Sequence, residues 1–258
     1  MVQHSGSLIH TDQDEYGVIE VVDEGPTRTM YFGTEARQTT MFRRDPQALA
    51  LSYTHCMMTS LLFTGPPRAA LVLGLGGGAL VRFLAHHFPD CRLETVEKRA
   101  KVAEVAGRFF SLPGEPPLRV HLGEAGAFLQ AGQELWDLLL VDIHDPEGMA
   151  LDVHQTDFFN HCRQRLASGG GMAINLWSGA REDALKRVMR QLRLAFDQRV
   201  LLLPVAGKHN CIGLGLASEL EPGQMPALRQ RAADLEKRLK IPLSGQLEDL
   251  VRFNPHAF

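Results

Sequence analysis

The stretch LVLGLGGGALVRFL, residues 71–84, indicates the fold of this chain. An apolar run typical of a buried strand passes into glycines and then resumes with helical spacing. Because glycine lacks a side chain, a ligand can approach the backbone here, and the start of the helix offers free N–H groups. A plain strand-to-helix turn requires a single glycine, whereas this one contains Gly74, Gly76, Gly77 and Gly78. The bend is therefore predicted to hold a ligand.

Strand-like and helix-like runs alternate on the carboxyl side of this bend, up to about residue 218. Such alternation predicts an α/β fold with a doubly wound, mostly parallel, Rossmann-like sheet. Upstream, residues 1–15 are expected to be a frayed tail, and two β-rich runs around the turn at 23–26 predict a small β region. We expect two domains: residues 1–45 with the tail and the small sheet, and residues 46–258 with the ligand-binding catalytic domain. The second domain is predicted to open with a helix over 46–63 and to end with an amphipathic helix.

The bulk properties of the chain exclude several classes of protein. The formal net charge of -3 provides no basic surface for nucleic acid. The four cysteines are scattered without metal-ligand spacing, so neither a metal site nor a disulfide framework is expected. The amino-terminal residues lack the apolar segment of a signal peptide, and the apolar runs are too short to span a membrane. We expect a reduced, cytoplasmic protein with no nucleic-acid or membrane partner.

An acidic residue at the end of the second strand narrows the choice of ligand. Glu97 follows the glycines at about the 20-residue spacing of a dinucleotide fingerprint, which Gly74, Gly76 and Ala79 also fit. Its carboxylate can accept hydrogen bonds from both ribose hydroxyls and would repel a 2′-phosphate, which argues against NADP. The alternative for Glu97 is a solvated charge at a strand end.

The third strand distinguishes NAD from an adenosyl sulfonium. Glu124 lies just after that strand in the sequence VHLGEAGAFL. An acidic side chain there can accept a hydrogen bond from an adenine amino group, and this arrangement is typical of proteins that bind S-adenosylmethionine. The alternative is an acidic residue that stabilises the amino-terminal end of a helix dipole.

Two aspartates follow the fourth strand, at the edge of the sheet where open α/β folds bind ligands. Asp142 and Asp145 lie in WDLLLVDIHDPEGMA and could bind a cation and accept a proton, although an Asx turn would also explain them. His144, between them, is either a general base or a residue outside the reaction. Asn175, at the end of the fifth strand, either contacts substrate or belongs to the core.

From about residue 16 to residue 218 the chain resembles the spermidine synthase family. The resemblance rests on the small amino-terminal β region, the glycine loop, and the residues Gln38, Tyr53, Glu97, Glu124, Asp142, Asp145, Pro146 and Gly148. It implies a Rossmann-like fold of the methyltransferase type and a transferase that forms a homodimer. Its co-substrate would be decarboxylated S-adenosylmethionine, and its acceptor a small amine. Asp142 would be the base, Asp145 would hold the amine, and Gln38, Tyr53 and His144 would contact cofactor or substrate.

The chain departs from that family's pattern around the acceptor. Gly77 stands where the family has an aspartate, His55 replaces a glutamate, and Lys208 lies in a loop that usually carries a tyrosine. Three hypotheses remain. The first is an aminopropyltransferase with a diverged acceptor pocket. The second is a methyltransferase that uses intact S-adenosylmethionine, and the third is a non-catalytic nucleoside-binding or interaction protein of the same fold.

Overall fold

The computed structural model describes residues 4–145, 148–149, 153, 157–177, 182–221 and 223–258, with the backbone alone at 145, 148–149 and 182–184. An antiparallel sheet in the order β1-β2-β3-β4 forms the amino-terminal part. Its strands are β1 (Ser7–Asp14), β2 (Gly17–Glu24), β3 (Thr27–Tyr31) and β4 (Arg37–Phe42). The small β region is confirmed, whereas the frayed tail is wrong over residues 7–14. That segment is polar in sequence, but its backbone pairs with β2, so its order comes from the partner strand.

The helical region that follows is shorter than its apolar spacing predicts. It consists of α1 (Ser52–Met57), a 3-10 turn over Met58–Ser60, and α2 (Leu61–Thr64). The helix begins at Ser52 instead of Pro46, because Leu51 is extended and its carbonyl accepts a 2.6 Å hydrogen bond from the hydroxyl of Thr54. The hydroxyls of Thr59 and Ser60 likewise donate to the backbone carbonyls three residues earlier. These bonds favour the 3-10 turn between the two helices.

The central sheet has seven strands in the order β12-β13-β11-β8-β5-β6-β7. These are β5 (Ala69–Leu73), β6 (Arg92–Glu97), β7 (Leu118–Leu122), β8 (Trp136–Val141), β11 (Leu166–Trp177), β12 (Val200–Pro204) and β13 (Asn210–Leu216). A short antiparallel pair, β9 (His144–Asp145) and β10 (Gly148–Met149), follows β8. Strands β5, β6, β7, β8 and β11 are parallel, whereas β13 runs antiparallel to both β11 and β12.

Helices cover both faces of this sheet, with one apolar cluster on each face. They are α3 (Ala79–His87), α4 (Ala100–Phe109), α5 (Ala125–Ala131), α6 (Phe158–Gln164), α7 (Glu182–Ala195), α8 (Met225–Leu239) and α9 (Leu243–Phe253). The doubly wound α/β prediction is confirmed, and α8 is the predicted amphipathic helix. The sequence analysis missed α9, although Leu243, Leu247 and Leu250 are fully buried at helical spacing. None of the described helices combines the length and apolar character needed to cross a membrane.

The order of the strands places a crevice above β5. The chain continues from β5 to β6 and β7 on one side and then crosses to β8 on the other side, so the direction of the strand order reverses at β5. Open α/β sheets bind ligands at such a switch point, outside the carboxyl ends of the strands. The glycine bend lies at the carboxyl end of β5.

Candidate active site

A cleft of about 1310 Å³ opens at this switch point. Its walls come from the carboxyl ends of the central strands, from α1, from β4 and from the turn between β1 and β2. The predicted site residues that line it are Gln38, Tyr53, Gly74, Gly76, Glu97, Glu124, Asp142 and His144. The structure thus brings together residues that are spread over a large part of the chain.

The glycine loop positions the end of β8 as well as the floor of the cleft. Gly74 has a φ of +91°, and a Cβ there would lie 2.9 Å from the carbonyl carbon of Asp142. Glycine is therefore needed for the two strand ends to approach each other. Gly77 and Gly78 do not line the cleft; a Cβ on Gly77 would meet the methyl group of Thr39 and the ring of Phe110. Their contact with a cofactor stays a prediction.

Glu97 holds the glycine loop from the end of β6. Its Oε2 accepts hydrogen bonds from the backbone N–H groups of Leu75 at 3.1 Å and Gly76 at 3.3 Å, and its Oε1 accepts one from Arg99 N at 2.9 Å. Burial raises the pKa of Glu97, and these three N–H donors act in the opposite direction. With 8% of its surface exposed, Glu97 is not a solvated strand-end charge.

Glu124 lies beyond Glu97 from the glycine loop, after the end of β7 and at the start of α5. Its side chain is half exposed, and its Oε1 lies 3.0 Å from the ammonium of Lys98. Lys98 in turn lies 4.6 Å from the centre of the Tyr16 ring. Because all three side chains line the cleft, this wall combines an acid, a cation and an aromatic ring.

The turn between β1 and β2 is anchored beside Glu97 by Arg99. The guanidinium donates to both oxygens of Asp14, with Nη2 at 2.7 Å and Nε at 3.0 Å, and to the carbonyl of Gly17 at 3.0 Å. Arg99 and Asp14 are both more than nine-tenths buried. The sequence analysis missed this ion pair and Tyr16, because no local pattern connects residue 14 to residue 99.

Asp142 is held on both of its carboxylate oxygens. Tyr53 Oη donates to Oδ2 at 2.8 Å, and Asn175 Nδ2 donates to Oδ1 at 2.9 Å. Asn210 Nδ2 donates to Asn175 Oδ1 at 2.9 Å, which fixes the orientation of the Asn175 amide. Burial raises the pKa of Tyr53 well above its usual value, and the charge of Asp142 adds to this effect. Tyr53 is therefore a neutral hydrogen-bond donor at physiological pH.

The other predicted site residues around Asp142 are His144, Asp145 and His55, and the structure describes some of their side chains but not all. His144 Nδ1 lies 3.5 Å from Asp142 Oδ1, and His144 Nε2 is buried without a hydrogen-bond partner in the described part of the chain. The backbone of Asp145 pairs with Gly148, but its side chain lies outside the described residues, as does Pro146. His55 Nε2 lies 2.9 Å from the carbonyl oxygen of Leu49, so His55 packs within its own region.

The described residues contain no group of three or more histidine, cysteine, aspartate or glutamate side chains arranged to bind a metal ion. The polar side chains that line the cleft include carboxylates, amides, two phenols, hydroxyls, imidazoles and cationic groups.

Comparison with known proteins identifies relatives of this arrangement. The family model of the spermine/spermidine synthase domain matches residues 50–193. A polyamine aminopropyltransferase from Chromobacterium violaceum is 33% identical over 92% of this chain and 90% of its own length.

Two solved structures share the fold. A probable spermidine synthase from Corynebacterium glutamicum superposes with a TM-score of 0.75 at 19% identity, over 93% of this chain and 95% of the other. A spermidine synthase in complex with the transition-state analogue AdoDATO gives a TM-score of 0.69 at 14% identity, over 95% and 83%.

Proposed function

Because this chain belongs to the spermine/spermidine synthase family, we propose that it transfers an aminopropyl group from decarboxylated S-adenosylmethionine to an amine acceptor. The nitrogen lone pair of the acceptor attacks the methylene group next to the sulfonium. A C–N bond forms, the C–S bond breaks, and its electron pair goes to sulfur, so that neutral methylthioadenosine leaves. The nitrogen loses one proton in the reaction.

The protein must remove a proton from the acceptor amine before the nitrogen can attack. An alkylammonium has a pKa of about 10.4, so at neutral pH a base must free the attacking lone pair. We assign this role to Asp142. The observation that carries the assignment is the pair of hydrogen bonds from Tyr53 and Asn175, which orient both oxygens of Asp142 at the edge of the cleft. Orientation of the nucleophile in line with the C–S bond supplies much of the rate.

The nucleoside would lie over the glycine loop. In this proposal Glu97 accepts the ribose hydroxyls with the lone pairs that the loop N–H groups leave available, and Glu124 accepts the adenine amino group while it remains beside Lys98. Gln38, which lines the cleft from β4, would also contact the co-substrate. Asp145 and His144 would contact the acceptor amine, as the resemblance to the family implies.

A product assay tests the reaction. The protein is incubated with a mixture of alkylamines and either decarboxylated or intact S-adenosylmethionine, and the products are identified by mass spectrometry. Methylthioadenosine with the decarboxylated form supports aminopropyl transfer. S-adenosylhomocysteine from the intact form would instead establish a methyltransferase. The absence of both products across the amines would contradict aminopropyl transfer and favour a non-catalytic protein.

A substitution tests the base. Asp142→Asn removes the proton acceptor and should lower kcat by about 100- to 10,000-fold. Asp90→Asn, at an exposed site after α3, is the control and should keep full activity. Full activity of Asp142→Asn would contradict the assignment of the base.

A homodimer and a cytoplasmic location complete the proposal. Strand β1 ends the order of its sheet and exposes Leu8 and Ile9, which supports pairing with a second copy of the chain. All four cysteines are described and unpaired, which fits a reducing compartment. Light scattering of the purified protein measures its mass directly, and a monomer would contradict the dimer.

A further inference from the structure

A buried arginine lies behind the glycine loop, outside the lining of the cleft. Arg82 belongs to the start of α3, and 4% of its surface is exposed. Long side chains on a helix point back toward its amino terminus, so this one reaches the loop from which the helix begins. The guanidinium donates hydrogen bonds to the backbone carbonyls of Gly77, of Pro46 at 2.8 Å and of Phe110 at 2.8 Å. Arg82 thus connects the loop with the segment before α1 and with the end of α4.

The surroundings of Arg82 disfavour a positive charge. Burial lowers the pKa of Arg82 to about 10, and none of the described carboxylates forms an ion pair with it. Its Nη2 is buried and has no hydrogen-bond partner in the described part of the chain. The helix dipole also disfavours a cation at the amino-terminal end of α3. The three backbone carbonyls therefore hold the charge in place, and the charge in turn fixes their directions.

The glycine loop is held by two buried charges of opposite sign. Glu97, from β6, accepts hydrogen bonds from the N–H groups of Leu75 at 3.1 Å and Gly76 at 3.3 Å. Arg82, from α3, donates to the carbonyl of Gly77, the next residue of the loop. Leu75 and Gly76 line the cleft, whereas Gly77 does not. Arg82 therefore acts on the backbone that faces the cleft without itself reaching a ligand there.

We propose that Arg82 is a positioning residue for the nucleoside, because it holds the carbonyl side of the glycine loop while Glu97 holds the N–H side. The loop then has its binding conformation before the co-substrate arrives, and binding does not pay to order it. This inference rests on the proposed function, which places the nucleoside over that loop. The adenosine part of the co-substrate keeps its bonds during the transfer, so the loop binds it equally well in the ground state and the transition state. Such binding lowers KM and leaves kcat unchanged.

Arg82→Lys tests this role, since lysine keeps the positive charge and replaces the planar fork of donors by one ammonium. Calorimetry gives the Kd of methylthioadenosine, and steady-state kinetics with decarboxylated S-adenosylmethionine give KM and kcat separately. We expect Kd and KM to rise about 10-fold, the effect of one charge-assisted hydrogen bond, while kcat changes little. A residue that serves stability alone would lower the Tm of the protein and leave Kd and KM as they are.

Arg165→Lys is the matched control. Arg165 also donates to a backbone carbonyl, that of Leu129 at 2.9 Å. It directly precedes β11 and therefore lies at the amino-terminal edge of the parallel strands, opposite the cleft. The substitution should leave Kd and KM unchanged, whatever it does to the Tm.

Hydrogen exchange tests the loop without any ligand. In the free, unsubstituted protein the amides of Leu75 and Gly76 should be protected, and methylthioadenosine should add little to that protection. In Arg82→Lys the same two amides should exchange at least 10-fold faster, with the amides in the middle of α8 unchanged. NMR resolves the individual amides, and the measurement on the unsubstituted protein stands even if the variant does not fold.

Three results would overturn the inference: a folded Arg82→Lys protein with unchanged Kd and KM, the same rise of Kd in Arg165→Lys, or unprotected amides at Leu75 and Gly76 in the free, unsubstituted protein. The failure of the proposed function is separate. If methylthioadenosine does not bind the unsubstituted protein, the nucleoside site itself is wrong, and the exchange of the two amides still decides whether Arg82 holds the loop.

Discussion

Tyr53 donates a 2.8 Å hydrogen bond to Oδ2 of Asp142, although 89 positions separate the two residues in the chain. Helix α1 precedes the first strand of the central sheet, and its packing against β11 and β13 brings the phenol to the end of β8. Asn175 occupies the other oxygen of the same carboxylate. The candidate base is thus oriented by two donors from two different elements.

Removal of the phenol should lower the catalytic rate. Tyr53→Phe deletes a hydrogen bond to a charged group, which contributes about 1.5–3 kcal/mol, so we expect kcat to fall by roughly 10- to 100-fold. Steady-state release of methylthioadenosine measures the change. Tyr31→Phe is the matched control, because Tyr31 donates to Glu24 in the amino-terminal sheet. A Tyr53→Phe variant with full kcat would show that this bond does not orient the base.

The two asparagines should contribute unequally. Asn175→Leu removes the donor to Asp142 from a buried site and should lower kcat by about 10-fold, the effect of one charge-assisted hydrogen bond. Asn210→Ala acts only through the orientation of Asn175 and should have a smaller effect. The double variant should lose less than the sum of the two single losses, because both belong to one network. Additive losses would indicate that the two residues act independently.

The ion pair between Arg99 and Asp14 predicts how stability depends on pH. Burial alone would raise the pKa of Asp14, but hydrogen bonds from Arg99 and from the backbone N–H of Tyr16 outweigh it and lower the pKa. As the pH falls, the Asp14 carboxylate therefore takes up a proton at a higher pH in the unfolded chain than in the folded protein. The stabilisation is present above the ordinary aspartate pKa of about 3.9 and is lost as the pH falls through the lowered value.

Arg99→Met tests this ion pair by leaving a buried carboxylate unpaired. We expect the free energy of unfolding to drop by about 3 kcal/mol at pH 7. Without Arg99, burial raises the pKa of Asp14 in the folded protein, so its protonation on acidification relieves the penalty and the difference from the unsubstituted protein should shrink as the pH falls. Urea unfolding at a series of pH values from 7 to below 4 measures both effects. Arg108→Met, on the exposed side of α4, is the control. Identical pH profiles for Arg99→Met and the unsubstituted chain would contradict the role of the pair.

Gly77 should resist substitution for a steric reason. Its Cβ would meet the methyl group of Thr39 and come within 3.0 Å of the Phe110 ring, so Gly77→Ala should destabilise the protein by about 1–3 kcal/mol. Adding Thr39→Ser removes the methyl group and should restore part of the loss. Thermal unfolding of the two single variants and the double variant measures this coupling. If Thr39→Ser restores nothing, the contact with Thr39 is not the cause.

The sequence determined the parts of this protein that depend on local patterns. Apolar runs typical of strands alternate with apolar residues at helical spacing, and this alternation predicted the strands and helices of the doubly wound sheet. Burial of an element requires apolar residues at regular positions that lie close together in the sequence. The glycines after β5 and the aspartate after β8 were found in the same way, because parallel strands bring their carboxyl ends to one edge. The strand at 7–14 escaped this reasoning, since its polar sequence shows little burial and its order comes from pairing with β2.

Only the tertiary structure decided which groups meet at that edge. Asn175 reaches Asp142 from 33 positions away, and Arg99 reaches Asp14 from 85, so neither contact leaves a pattern that a local window can detect. Glu97 likewise turned out to bond the loop N–H groups, a contact that depends on how β5 and β6 lie side by side. Secondary structure follows from near neighbours along the chain, whereas the polar arrangement of a cleft follows from the order in which distant strands assemble.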